Sequence, residues 1–395
     1  MKSEWAHIPF EDVCESMTKG PFGSDIKKSL YVPKSADTYK VYIQVNAIEK
    51  DATLGDYYIS KEYFDSKMLR FEVKPDDYII TCDGTLGRYL RLPQTMERGI
   101  ISASLLRITL KPNIVPRYFE YLWDGYLMSR LTSDIRNSAL VHLPSATKIG
   151  KVLIPLPTIT EQESIAAELD LLSGILEKQR LQLKELNSLA QSIFYDMFGD
   201  PVENEKGWGT SELNSVCDVR DGTHDSPSYQ DEGYPLVTSK NITDDGISFS
   251  DVNFISKEDF DAISKRSYVD DGDIVMPMIG TIGKPTIVRK EREFAIKNVA
   301  LIKFFPNSAV LNTFIKAIIA SSSYDVYMRS KNKGGTQKFI ALGDIRKLRI
   351  PVPPLGLQQS FDTKIEAIEQ QKALINQSLV ETQKLFDYTM DKYFG

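Results

Sequence analysis

Residues Ile154 to Gly199 read IPLP-TITEQESIAAELDLLSGILEKQRLQLKELNSLAQSIFYDMFG, and the same pattern returns from Ile350, which begins IPVP, to Phe394-Gly395. The offset is constant at 196 residues: Ile154 matches Ile350, Pro157 matches Pro353, Gln162 matches Gln358, and Phe198-Gly199 matches Phe394-Gly395. Loops tolerate insertions, whereas a helix packed at fixed register does not. Pro155 and Pro157 exclude helix before them, Thr160 with Glu161 and Glu163 reads as an N-cap with an acidic first turn, and Gly199-Asp200-Pro201 is a stop. Between them Ile165, Leu169, Leu172, Leu176, then polar Gln179, then Leu183, Leu186, Ala190, Ile193 and Met197 recur at alternating spacings of four and three. This is a heptad seam with one polar interruption. The second copy, Phe361, Ile365, Ile368, Ile375, Leu379 and Phe386, is looser, with Lys372, Thr382 and Thr389 in the seam. A seam of this length needs a helical partner, and the chain supplies one of equal length. The expectation is two long antiparallel helices forming a coiled coil.

The duplication extends outward from the helices. Trp5 and Trp208 open two halves, and Val13-Cys14 matches Val216-Cys217 at an offset of 203. Gln44-Val45-Asn46 falls where Ser239-Lys240-Asn241 falls, and Ile59-Ser60-Lys61-Glu62 matches Ile255-Ser256-Lys257-Glu258. From there the offset reads as a steady 196, through Asp77 to Ile80 against Asp273 to Met276, and Gly84-Thr85-Leu86-Gly87-Arg88 against Gly280-Thr281-Ile282-Gly283-Lys284. The runs 104–110 and 300–305 read as buried strands, and 116–131 and 310–329 as helices. The period is too long for a solenoid, so a domain-plus-helix unit is used twice. The expected organisation is a first globular domain over 1–157, a central helix over 158–199, a second globular domain over 200–353 and a C-terminal helix over 354–395. The fold class is α+β: two pseudo-repeated α/β domains separated by the helix pair, pseudo-two-fold and circular, since one more linker would join the two ends into a ring.

Composition bounds the function. Two or three domains fit 395 residues. No run approaches the length of a membrane span, and the N-terminus lacks the apolar core of a signal peptide. Cys14, Cys82 and Cys217 are odd in number and scattered, which fits a reducing cytoplasm without a disulfide framework or zinc spacing. The net charge of −6 is concentrated in the helical stretches, which carry −4 and −2 over a tenth of the chain each. Neither globular segment is basic enough for charge alone to argue for nucleic acid.

Enzyme signatures are missing. Gly283-Lys284 lacks the spacing of a phosphate loop, because Met278 and Pro285 occupy the required glycine and hydroxyl positions. There is no nucleophile elbow, no paired-cysteine or His-Glu-x-x-His metal site, no dinucleotide fingerprint and no Asn-Pro-Pro-Tyr segment. The carboxylate pairs Asp76-Asp77 and Asp244-Asp245 have turn-like settings and read as solvated. The Gly-Thr-x-Gly turns read as tight connections whose glycines adopt positive φ. Either they are structural only, or their backbone N–H groups with Arg88 and Lys284 also meet phosphate. A second surface stands out: 326–343 contains no acid, and Arg329, Lys331, Lys333 and Lys338 surround Gly334, Gly335, Thr336 and Gln337. Such a loop suits a polyanion, although a solvated surface loop would read the same way. Its counterpart, Arg136 to Lys148, diverges while the scaffold repeats, as expected of two binding domains with different targets. Asn137, His142, Lys331 and Gln337 are types that read base edges, while Lys331 and Lys333 suit phosphates.

These features together resemble the specificity subunits of type I restriction–modification systems: the duplicated Ile-Pro-x-Pro element, the helix starting near Glu161-Gln162, the two variable domains and the Gly-Thr-x-Gly-Arg/Lys turns. The likeness covers essentially the whole chain, with Leu357-Gln358 replacing the usual Glu-Gln. It implies two target recognition domains, each reading half of a bipartite site in double-stranded DNA, and helices that set the spacing. It implies partners: two methyltransferase subunits using S-adenosylmethionine, and restriction–translocation subunits using ATP and magnesium. This subunit itself would bind no cofactor or metal and catalyse nothing. A related defence system with another catalytic partner, or a duplicated protein-interaction scaffold, would be the alternatives.

Overall fold

The computed structural model describes residues 5–132, 142–243, 246–278, 284–330 and 340–395. It divides into two units, residues 1–178 with 379–395, and residues 179–378. Each unit holds one globular domain and part of each long helix.

In unit 1, strand Ala6–Pro9 pairs antiparallel with Leu153–Leu156, so the Ile-Pro-Leu-Pro element is an edge strand of its own domain. Prolines are tolerated there because an edge strand has amide positions that need no partner. Four antiparallel strands follow in the spatial order Cys14–Lys19, Leu105–Leu110, Tyr78–Thr81, Tyr89–Arg91. A second, mixed sheet has the order Tyr58–Ser60, Thr38–Tyr42, Gly99–Ile101, Glu72–Val73. Unit 2 repeats both, with Cys217–Asp221, Val299–Phe304, Ile274–Pro277, Thr286–Ile287 in one sheet and Asn253–Ile255, Tyr234–Val237, Ala295–Ile296 in the other. Thr210–Glu212 pairs with Arg349–Pro351, as its counterpart does in unit 1. The α+β class, the duplicated domains and the paired long helices are therefore present.

Strand pairing corrects one part of the repeat. Tyr78 faces Ile108 and Ile274 faces Ile302, so the offset falls to 194 in this strand. It returns to 196 at Val115 and Leu311, whose amides bond Gln162 and Gln358. The two-residue differences sit in the connections on either side of the strand, where insertions leave the sheet intact.

The helices span Ile159–Phe198 and Leu355–Phe394, 40 residues each, or about 60 Å at 1.5 Å per residue. The central helix is capped by Thr158, two residues earlier than the sequence suggests. Thr158 N–H donates to Glu161 Oε2 at 2.9 Å, and Glu161 N–H donates back to Thr158 Oγ1 at 3.4 Å. This reciprocal capping box explains why a Thr precedes Glu by three residues. Gly199 ends the helix at φ +76° and donates to Tyr195 O, a left-handed C-terminal position that suits glycine.

Within unit 2, Gln179 Nε2 donates to Ser378 Oγ at 2.8 Å, while Phe198 packs on Phe361 at 5.3 Å, so the helices run antiparallel. The polar interruption in the seam is thus a paired position. All the seam residues are buried or half-buried: Ile165, Leu169, Leu172, Leu176, Leu183, Leu186 and Ile193 on one helix, and Phe361, Ile365, Ile368, Ile375, Leu379 and Phe386 on the other. Near the end of the central helix the best-buried residues are Phe194 and Phe198, beside the seam position Ile193. They meet Phe314 of the globular domain as well as Phe361. In unit 1, Phe386 packs on Tyr121, Phe394 on Tyr118, and Tyr393 stacks on Trp5.

The repeated glutamines tie each helix to its own domain. Gln162 is fully buried; its Nε2 donates to Pro157 O at 2.9 Å and Asn113 O at 3.2 Å, and its Oε1 accepts from Val115 N–H at 2.7 Å. Gln358 makes the same three bonds with Pro353 O, Ala309 O and Leu311 N–H, each at 2.9 Å. An amide is the side chain that both donates and accepts in this way. The position therefore needs Gln, whereas Glu161 is replaced by Leu357 without harm to the tether.

Asp77 is a further correction. Only Asp76 is exposed; Asp77 is 1% accessible and accepts from Lys74 N–H at 2.8 Å and Thr109 Oγ1 at 2.6 Å. Burial raises its pKa, against the lowering effect of these bonds. Asp273 repeats the arrangement with Asp270 N–H at 2.8 Å and Lys303 Nζ at 2.6 Å. These carboxylates brace the strand start rather than face solvent. Asp244 and Asp245 lie outside the described residues.

Candidate nucleic-acid interface

The first strand (Cys14–Lys19) and the third (Tyr78–Thr81) both run antiparallel to Leu105–Leu110 between them, so their C-terminal ends share one rim of the sheet. The Gly-Thr-x-Gly turn leaves from this rim. Gly84 and Gly87 have φ of +68° and +73°, the left-handed region expected for these positions. Gly87 N–H donates to Thr81 O at 2.9 Å, and Arg88 N–H to Thr81 Oγ1 at 3.0 Å. Behind the turn Trp123 Nε1 donates to Gly87 O at 2.9 Å. The turn is therefore fixed on the 116–132 helix, and the Arg88 side chain is exposed beyond it.

The divergent segment of each domain returns to the same rim. Leu143 N–H donates to Cys82 O at 2.9 Å, and in unit 2 Ile340 N–H donates to Met278 O at 3.0 Å. His142 is thereby placed beside the turn, with its Nδ1 2.6 Å from Asp83 Oδ1. Gln44 Nε2 joins them through Asp83 O at 3.1 Å. Arg88 and His142, two candidates 54 residues apart, thus flank one turn. Lys284 of unit 2 is exposed, and residues 279–283 before it lie outside the described residues. Asn137, Lys331, Lys333, Gly334, Gly335, Thr336, Gln337 and Lys338 lie outside the described residues, and so does the side chain of Arg329, whose backbone is in the helix Ser322–Ser330.

In unit 2 the rim carries a cluster that sequence reasoning passed over. Asp221 and Gly222 end the first strand, and His224 follows. Its Nδ1 is 2.8 Å from Asn298 Oδ1 and its Nε2 2.9 Å from Asp221 Oδ2, while Arg266 also pairs with Asp221. Hydrogen bonds to Asn298 and then to Asp221 raise the pKa of His224 above its ordinary value. The available signal was Asp-Gly-Thr-His directly after a strand end.

The thiols of Cys14, Cys82 and Cys217 are buried and pushed up to about 12 by desolvation, which keeps them protonated and poorly nucleophilic. Among the described residues no group of three His, Cys, Asp or Glu side chains could hold a metal ion. No helix among them is long and apolar enough to cross a membrane.

Comparison with known proteins agrees with this arrangement. The type I restriction–modification DNA specificity domain matches twice, over residues 2–185 and 205–383. The specificity subunit of the type I restriction enzyme EcoBI from Escherichia coli is 23% identical over 358 residues, 82% of this chain and 73% of that protein. The MjaVIII specificity subunit from Methanocaldococcus jannaschii is 22% identical over 355 residues, 82% of each chain. A chain from a structure of type I system assembly and conformational transition superposes with a TM-score of 0.60 at 18% identity, covering 99% of this chain and 97% of its own. The type I S subunit from M. genitalium superposes at 0.55 and 13% identity, covering 99% and 96%. Two tandem matches spanning most of the sequence place this chain in the type I restriction–modification DNA specificity family.

Proposed function

We propose that this chain is the non-catalytic DNA-recognition subunit of a type I restriction–modification complex, in which each globular domain reads one half of a bipartite duplex site. The observation that carries this reading is the shared rim. In unit 1 the scaffold brings a glycine-rich turn and the end of a divergent segment to one sheet end, and in unit 2 the end of the divergent segment returns to the matching strand end through the equivalent backbone bond. A constant frame with differing side chains is what two readers of different half-sites require. The paired helices set the unread gap and dock two methyltransferase subunits, which bring S-adenosylmethionine; restriction–translocation subunits bring ATP and magnesium. Family membership does not favour an interaction scaffold without a DNA role. The test is to replace residues 1–157 by the equivalent segment of a relative and to map the methylated sites of the assembled complex. One half-site should change and the other stay. A change in both halves, or in neither, would overturn independent reading.

A further inference from the structure

The rim that carries the turn and the divergent segment has a third element, which begins where the first strand ends. In unit 1 it reads Lys19-Gly20-Pro21-Phe22-Gly23-Ser24-Asp25-Ile26-Lys27-Lys28. Gly20 N–H donates to Leu105 O at 2.8 Å and Cys82 N–H to Ser104 O at 2.9 Å. The two strand ends therefore flank the middle strand, roughly 10 Å apart at two inter-strand spacings. A Cβ at Gly20 would lie 1.9 Å from Ser102 O, so the glycine lets the loop leave the sheet in close contact with backbone. Beyond it the loop is pinned. Asp25 N–H donates to Phe22 O at 2.8 Å, Tyr63 Oη donates to Asp25 O at 2.6 Å, and Ile26 is buried.

The residue presented by this fixed loop is Phe22, whose exposure of 76% is the highest among the large apolar side chains described. An aromatic ring held out on a rigid loop gains nothing for folding. Lys19, Lys27 and Lys28 of the same segment are exposed, and none forms an ion pair among the described residues. An exposed apolar ring on a segment rich in exposed cations is complementary to a nucleic acid, whose base faces and thymine methyl groups are apolar and whose backbone is anionic.

We infer that Phe22 is a specificity-determining residue of the first domain, making an apolar contact with a thymine methyl or an unstacked base step. The lysines of the same segment neutralise the adjoining phosphates. The inference rests on the DNA-reading function proposed above. Position 224 is the counterpart of 22 after the matching glycine, and a Cβ at Gly222 would likewise meet a backbone carbonyl, Ile296 O, at 2.2 Å. There the loop presents His224 in a polar network instead. One scaffold position thus carries an apolar contact in one domain and a hydrogen-bonding contact in the other, as two different half-sites require.

The test uses the full chain co-expressed with its methyltransferase subunits. Preferred duplexes are selected from a randomised library, and binding to them is then titrated with salt. Phe22→Ala should bind the selected duplex about 5- to 150-fold more weakly, the range for loss of one aromatic–base contact. Preference should relax at one or two adjacent base pairs of one half-site. The salt slope and the thermal midpoint should stay at wild-type values, and Phe22→Trp should recover most of the affinity. Unchanged affinity and preference in Phe22→Ala would overturn the inference, as would a loss spread over both half-sites or a changed salt slope. Absence of any preferred sequence for the wild-type complex would instead sink the DNA-reading function itself.

Discussion

Replacing Gln162 by methionine tests whether the repeated amide is what fixes each helix to its domain. The side chain keeps nearly the same volume, so the packing change is small. The variant loses three hydrogen bonds, to Pro157 O, Asn113 O and Val115 N–H. At about 0.5–1.5 kcal/mol for each bond the loss is about 3 kcal/mol. For a unit of this size that corresponds to a fall in thermal midpoint of roughly 6–12 °C, at 2–4 °C per kcal/mol. Gln358→Met should cost the same, because its three bonds are the same three in kind. Gln162 and Gln358 lie in different units, so the double variant should lose the sum of the two within about 0.5 kcal/mol. Urea unfolding followed by circular dichroism measures all three. A loss below about 1 kcal/mol in either single variant would mean that the glutamines fill space and tether nothing.

Two further outcomes follow from geometry already given. His224 should titrate above 6.5, and Asp221→Asn should bring it down; proton NMR of the three histidines reads this directly. Because the folded pKa is raised, the stabilisation from His224 is full below the unfolded value and fades as pH rises through the folded one. A His224 titration at or below 6.5 would remove that term. For the gap between half-sites, four residues inserted after Gln179 and four before Ser378 should lengthen the helix pair by about 6 Å. The unread spacing should grow by roughly two base pairs at 3.4 Å each, with both half-sites unchanged in mapped methylation; altered half-site bases with the old gap would count against the helices as spacer.

Much of the architecture was legible because it is written twice. Ile154 and Ile350, or Gln162 and Gln358, could be matched without knowing what either does. The role of the glutamines was not legible, since their partners are three backbone groups with no side-chain signature. Phe194 and Phe198 escaped the heptad reading because that end of the helix packs on Phe314 of the globular domain as well as on Phe361. A stripe serving two neighbours is wider than a seam serving one. Asp77 looked solvated because a carboxylate in a turn usually is; its burial depends on Thr109, a neighbour that only strand pairing supplies. At the rim, Arg88 and His142 were found as types, but the contact of His142 with Asp83 in the turn before Arg88 depends on a backbone bond between Leu143 and Cys82. Phe22 carried no signal, because an aromatic residue in sequence reads first as core.

The division of the two long helices between the units also orders events in time. Unit 2 is one uninterrupted run, residues 179–378, whereas unit 1 needs residues 379–395 to finish its core. Phe394 closes against Tyr118, and Tyr393 donates to Glu168 Oε2 at 2.7 Å. During synthesis at about 5–20 residues per second, the domain made first therefore waits on the order of tens of seconds for its last pieces. The domain made second can close as soon as Ser378 clears the ribosome. Chains truncated after Ser378 should resist protease across unit 2 while the earlier-made half is still cleaved, so that the sequence of manufacture and the sequence of completion run in opposite directions.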